Sequence, residues 1–334
     1  MTRICIVGAG VTGLSMLLLL QESGVDLSSI SIIDPHFDGG DISRRWTAVE
    51  SNTPWSKTIQ ALKTACPSLT IDPPHENTTK LVEIAHVIRK LALPLLKQVQ
   101  QIQGTVLKAN YISESHQWIL DIQSSGKTIH LTSKRLILAY GSESKTLDLG
   151  IPSIPLEIAL DVTRLQHFIR VSDRVLVFGT MHSGTLVIRN LSSLGADIVA
   201  YYNSLEPFYW DRNGDYDGIK AEAAAIADDI VSGKLPVKLV QTQDTSTVIR
   251  TSQNATWAIY AIGFQPRTIP ISMDGKDISS LEYDGKSGKL NNVPDVWGFG
   301  IAYPNLAPDG IHWDVSVAAF LEHMKLQLPD ILHS

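Results

Sequence analysis

The chain has little sulfur: two cysteines in 334 residues, Cys5 and Cys66, in no metal-ligand or redox spacing. That excludes a disulfide scaffold, a structural zinc site and a Cys-x-x-Cys relay, and it points to a reducing compartment. Long apolar runs are missing too. Met16–Leu20 follows Gly8, Gly10 and Gly13, and is far shorter than the roughly 20 residues a membrane span needs. The same glycines break the apolar region a signal peptide requires, so the expectation is a soluble, cytoplasmic protein without a membrane partner. No run of Lys or Arg exceeds two, and 34 acidic against 28 basic residues leave a net charge of −6. A protein that grips nucleic-acid backbones carries a basic stripe, so nucleic acid is not an expected partner. His86, His116, His130, His167, His312 and His323 stand in no ligand spacing, and no metal is expected.

What is present is an ordinary globular composition, 44% hydrophobic and 19% charged. A chain of this length has residues enough for two domains.

Arg3–Val7 is a short β-branched run suited to a central parallel strand. It leads into Gly8-Ala9-Gly10-Val11-Thr12-Gly13, a complete Gly-x-Gly-x-x-Gly. A helix over 11–23, closed by Gly24, and a strand Ile30–Ile33 follow, and Asp34 then stands 21 residues after Gly13. This order is the grammar of a dinucleotide-binding unit. Gly8 permits the tight turn, Gly10 lets a pyrophosphate approach, and Gly13 lets helix pack on strand. The helix N-terminus offers free N–H groups to the phosphates. Asp34, followed by Pro35, can accept from ribose hydroxyls.

The pattern restarts 171 residues later, with Val175–Phe178, then Gly179-Thr180-Met181-His182-Ser183-Gly184, a helix over 185–193 and a strand over 197–202. Met181 replaces the middle glycine. Tyr201, Tyr202 and Asn203 stand where an acid would select NADH and an arginine NADPH, so the choice stays open. The two units together predict an α/β fold of two Rossmann-like, three-layer dinucleotide-binding domains.

Elsewhere, the spacing of Leu81, Ile84, Ala85, Ile88 and Leu91 predicts an amphipathic helix over 79–103, interrupted at Pro94. Strands are expected over 105–113, 117–123 and 128–132. A surface helix is expected over 219–230, and a helix over 315–326 with Asp314 as N-cap. Phe208, Tyr209 and Trp210 form an aromatic segment suited either to a substrate lid or to packing. Arg44 and Arg45 suit one phosphate contact and one solvated charge. Asn52, ahead of Thr53 and Pro54, reads as an Asx turn or as a site amide.

Leu136-Ile137-Leu138-Ala139-Tyr140-Gly141 and Ala258–Arg267 resemble the two ATG-type strands of flavoproteins with two dinucleotide-binding domains. Tyr140 and Ile262 replace the threonines. Val296–Ala302 resembles the returning strand of that family, and Gly39-Gly40 with Trp46 loosely resembles the GGxW segment of class B flavin-dependent monooxygenases. More distantly, the chain resembles thioredoxin-reductase-like enzymes. The resemblance implies that the second domain is inserted in the first, with expected boundaries 1–163, 164–290 and 291–334. The resemblance implies FAD on the first unit, held by Gly8–Gly13, Asp34, Pro35, Arg45, Trp46, Val106, Ala139, Gly141 and Gly300. It implies NADPH or NADH on the second unit, at Gly179–Gly184, and a catalytic role for Asn52 beside flavin and nicotinamide. The implied activity is an NAD(P)H-dependent monooxygenase acting through a flavin C4a-hydroperoxide on a small organic molecule. A reductase, dehydrogenase or oxidase on the same scaffold, and a non-catalytic nucleotide-binding protein, are the alternatives. A homodimer is compatible with either.

Overall fold

The computed structural model describes residues 2–51, 53–71, 80–208, 216, 219 and 222–333. By its own contacts the chain divides into two compact units, Met1–Ser142 with Pro266–Ser334, and Glu143–Gln265. These divisions fall ahead of the boundaries at 163 and 290. Ile154 N donates to Ala258 O, and Asn190 Nδ2 donates to Ala159 O, so residues 151–163 belong with the strand and helix they pack on.

In the first unit β1 (Thr2–Val7) enters α1 (Val11–Glu22), and β2 (Ile30–Asp34) follows. After α2 (Asp41–Arg44), α3 (Trp55–Ala65) and α4 (Leu81–Leu96) come β3 (Gln100–Gln103), β4 (Thr105–Ile112), β5 (Gln117–Ser124) and β6 (Lys127–Leu138). β3, β2, β1 and β6 lie side by side and parallel. β6 is long enough to serve two partnerships: Lys127–Ser133 pairs antiparallel with β5, and Ser133–Leu138 pairs with β1. Val296–Gly298 pairs with its last three residues. The expected strand over 128–132 and the apolar run at 136–138 are therefore one element.

α1 is apolar nearly all round, as a fully enclosed helix must be. Leu14 and Met16–Leu20 pack with Ile84, Ala85, Ile88 and Ala92 of α4, and with Leu321, Met324 and Leu328 of the C-terminal helix.

Three sequence expectations are corrected here. The helix expected to run to residue 103 passes through Pro94 and stops at Leu96. Gln100–Gln103 is instead a polar edge strand with no apolar alternation to reveal it. The C-terminal helix spans Val317–His333, and Asp314 does not cap it. Asp314 pairs with Asn305 in a short hairpin, and the Ser316 hydroxyl accepts from Ala319 N in its place. The surface helix spans Glu222–Val231.

In the second unit four parallel strands lie in the order Lys238–Gln241, Asp197–Tyr202, Arg174–Phe178 and Trp257–Tyr260. The helix His182–Ser193 follows the third of these in that order, Arg174–Phe178. No helix among the described residues is long and apolar enough to cross a membrane.

Candidate cofactor site

The first glycine loop is clamped between two strands. Gly8 N donates to Ile33 O and Ala139 N to Val7 O, each at 2.8 Å. Gly8 has φ +106°, and a Cβ there would overlap the Ala139 carbonyl. A Cβ on Gly13 would overlap the Gly8 carbonyl, so helix and turn touch backbone to backbone. Gly10 differs from both. Its φ is −73°, which any residue adopts, and the nearest atoms to a Cβ there lie at 3.8 Å, on Gly39 and Gly40. The protein itself does not require glycine at this position.

Asp34 is buried at the end of β2, and its carboxylate braces the loop. Oδ2 accepts from Ala9 N at 2.8 Å, and Oδ1 accepts from His36 N at 2.7 Å and Phe37 N at 2.8 Å. Three of its roughly four acceptor positions are thereby taken by backbone amides. Gly39 bridges to Gly10, and a Cβ on Gly40 would stand 2.8 Å from Gly10 Cα. The Gly39-Gly40 turn thus lies against the loop, and α2 starts from it.

The arginines after that turn are engaged with carboxylates. Arg44 pairs with Asp38 and Asp41, and Arg45 reaches Asp41 at 3.8 Å while lying over the Trp46 ring. Arg267, absent from the expected set, also pairs with Asp41 and donates from Nη1 to Tyr140 O at 3.0 Å. It joins the Gly39-Gly40 turn to the end of β6. Gly141, at φ +73°, has the same guanidinium 3.1 Å from where a Cβ would be. The only sequence signal for Arg267 was its place at the end of the second ATG-type segment.

Tyr140 meets Tyr303, hydroxyl to hydroxyl, at 2.5 Å. Burial raises both phenols above their ordinary range, so both stay protonated. Their pairing was not legible in the sequence, because they lie 163 positions apart. Gly300, at φ +83°, sits against the Thr12 side chain on the first turn of α1. Val106 lies in β4 beside a bulge, its side chain in the core with Val7 and Ile33. Pro35 is exposed, and its carbonyl accepts from Gln103 Nε2. Asn52 lies outside the described residues, as do Tyr209 and Trp210. Beside Asn52, the Ser51 hydroxyl donates to Thr53 O and accepts from Thr53 N.

The second loop repeats the first. Gly179 N donates to Tyr201 O at 2.8 Å and Ala261 N to Phe178 O at 2.7 Å. Cβ atoms on Gly179 and Gly184 would overlap the Ala261 and Gly179 carbonyls. Thr180 is buried and its hydroxyl donates to Pro207 O, while Phe208 beyond it is buried. His182 and Ser183 open the helix and are half-buried. Among the described residues no group of His, Cys, Asp or Glu could hold a metal ion.

These features define a mixed α/β protein with a glycine loop at the carboxyl ends of each set of parallel strands. Over 382 aligned positions the chain is 25% identical to monooxygenase AgnR1 of Paecilomyces divaricatus, covering 97% of this chain and 96% of that one. Among solved structures, bacillithiol disulfide reductase from Bacillus cereus matches with a TM-score of 0.66 at 11% identity, covering 99% of this chain and 98% of that one. OTEMO in complex with FAD and NADP matches with a TM-score of 0.62 at 15% identity, covering 99% and 85%. No family model matches the chain. The resemblance read from the motifs is met by a monooxygenase in sequence, and in fold by a disulfide reductase and an FAD and NADP complex.

Proposed function

We infer that the chain is an FAD-dependent monooxygenase that takes electrons from NADPH or NADH and acts on a small organic molecule. Each unit is read as a Rossmann-like dinucleotide-binding domain, FAD in the first and the nicotinamide nucleotide in the second. The observation that carries this is Gly10. Glycine is sterically required by the protein at Gly8 and Gly13 but not at Gly10, where a Cβ would meet nothing closer than 3.8 Å. An open seat at the N-terminus of a buried helix suits a pyrophosphate, which the free N–H groups and the helix dipole favour. The likeness to a monooxygenase along nearly the whole chain supports the choice of reaction.

Bound FAD would supply hydride acceptance from the nicotinamide and activation of dioxygen, with one oxygen atom going to the substrate and the other leaving as water. The protein's part is to hold and orient. Asp34 keeps the loop in shape through Ala9 N and, with Pro35, borders the adenosine side. Arg267 and Asp41 hold the Gly39-Gly40 turn against Gly10, with Arg45 and Trp46 just beyond. The backbone at Val106, Ala139, Gly141 and Gly300 lines the remaining length. The Asn52 amide is the group assigned to the reacting edge, because it donates and accepts without a charge that changes with pH. A dithiol relay does not compete: Cys5 and Cys66 are both buried, and burial raises both thiols, Cys66 to about 11.

The test is the absorption spectrum of the purified protein, followed by anaerobic addition of NADPH or NADH and then of oxygen. A flavin spectrum that bleaches and recovers is expected, with Asn52→Ala releasing about ten-fold more hydrogen peroxide per nucleotide oxidised. A colourless protein that takes up no FAD defeats the reading.

A further inference from the structure

The two glycine loops are one backbone built twice, with one side chain out of register with the shared purpose. Gly8 and Gly179 have φ of +106° and +97°. The helices that follow each have twelve residues and begin after an extended N-cap, Gly10 at φ −73°, ψ −174° and Met181 at φ −74°, ψ −166°. Both loops are closed by the same pair of strand-to-loop hydrogen bonds, and both bury a helix glycine against the carbonyl of the first glycine. Because the backbones match, the Cβ of Met181 projects in the direction left open at Gly10. A flexible thioether chain leaves the backbone in that direction, at the N-terminus of the helix.

The anchoring of the second loop differs as well. Ala9 is held by its amide on the Asp34 carboxylate, whereas Thr180 is held by its hydroxyl on the Pro207 carbonyl. The Pro207 segment is fixed in turn, since Gln241 Nε2 donates to Ser204 O at 2.7 Å and Phe208 is buried. The second loop therefore keeps its shape without a strand-end acid.

We propose that Met181 bars the phosphate seat of the second unit, and so sets the affinity and residence of the nicotinamide nucleotide. This rests on the reading of the second unit as the donor domain. A dinucleotide bound there must push the side chain aside or leave its pyrophosphate off the helix N-terminus. The first course costs the freedom and contacts of the side chain; the second forgoes charge-assisted hydrogen bonds, each amounting to about ten-fold in affinity.

The test is calorimetric titration of NADP+ and NAD+ into the FAD-loaded protein, its Met181→Gly and Met181→Ala variants. Met181→Gly should lower Kd for at least one nucleotide by about ten-fold or more, with Met181→Ala between. In anaerobic reduction the nucleotide concentration for half-maximal rate should fall with Kd, while the rate at saturation stays unchanged. FAD content and unliganded Tm should not move, since glycine serves as an N-cap at little cost. Equal or weaker binding in both variants, with flavin still reduced, overturns the role of Met181 alone. Absence of binding and of flavin reduction in all three proteins overturns the donor reading and this proposal together.

Discussion

Asp34 illustrates how one side chain can be read for its type while its partners within the chain stay hidden. Its place 21 residues after Gly13 marks it as a ribose-binding acid. Within the chain its carboxylate accepts from three backbone amides, one on the glycine loop and two on the turn after β2. Asn in its place would present a donor to at least one of those amides. Asp34→Asn should therefore destabilise the first unit by about 1–3 kcal/mol and weaken FAD binding through the loop. Thermal unfolding with and without FAD checks this, and unchanged Tm in both conditions would remove the bracing role. Residue types at a set spacing were legible because the loop is local in the chain. The partners of Arg267 were not, since Asp41 and Tyr140 lie 226 and 127 positions away.

At the scale of the element, the strand–loop–helix unit separates two demands that a glycine motif merges. Gly13 serves the protein, because α1 cannot approach the loop with a Cβ present. Gly10 serves whatever enters the seat. Gly13→Ala should cost about 1–3 kcal/mol or more through backbone overlap, and lower Tm with or without ligand. Gly10→Val should leave unliganded Tm close to wild type and abolish the flavin colour. A Gly10→Val protein that stays yellow would refute the seat. Helices were legible where a local signal marks them, α1 by its glycine motif and Gly24 and α4 by its apolar spacing to Leu91, whereas boundaries failed where pairing decides. Gln100–Gln103 is a strand because β2 leaves an open edge beside it, which no property of Gln-Gln-Ile-Gln announces. Ser316 displaces Asp314 as cap because the hairpin Asn305–Leu306 with Trp313–Asp314 claims the latter.

At the scale of the molecule, the two cysteines report on the cohesion of the first unit, to which both belong. Cys5 and Cys66 are buried, and burial keeps both protonated at pH 8. A thiol reagent should leave the native protein unlabelled until that unit opens, and react with both groups in denaturant. Excess FAD should slow labelling by the factor 1 + [L]/Kd, since only the closed unit binds it. Fast labelling of the native protein, unaffected by FAD, would contradict this. The sign of the pH effect follows from the direction of the shift. With its native thiol raised from 9.0 to about 11, Cys66 contributes stability that is full below about pH 9 and lost as pH rises towards 11.

Composition, two glycine motifs and their spacing were enough to determine a mixed α/β chain with two related units. Those features are local or additive, and need no knowledge of what folds against what. Tertiary structure decided the rest: that β6 serves both sheet directions, that Asp34 faces backbone amides, and that Arg267 closes the turn beside Gly10. It also decided the difference between Gly10 and Met181, because a substitution within a motif acquires meaning only when the two backbones are seen to coincide.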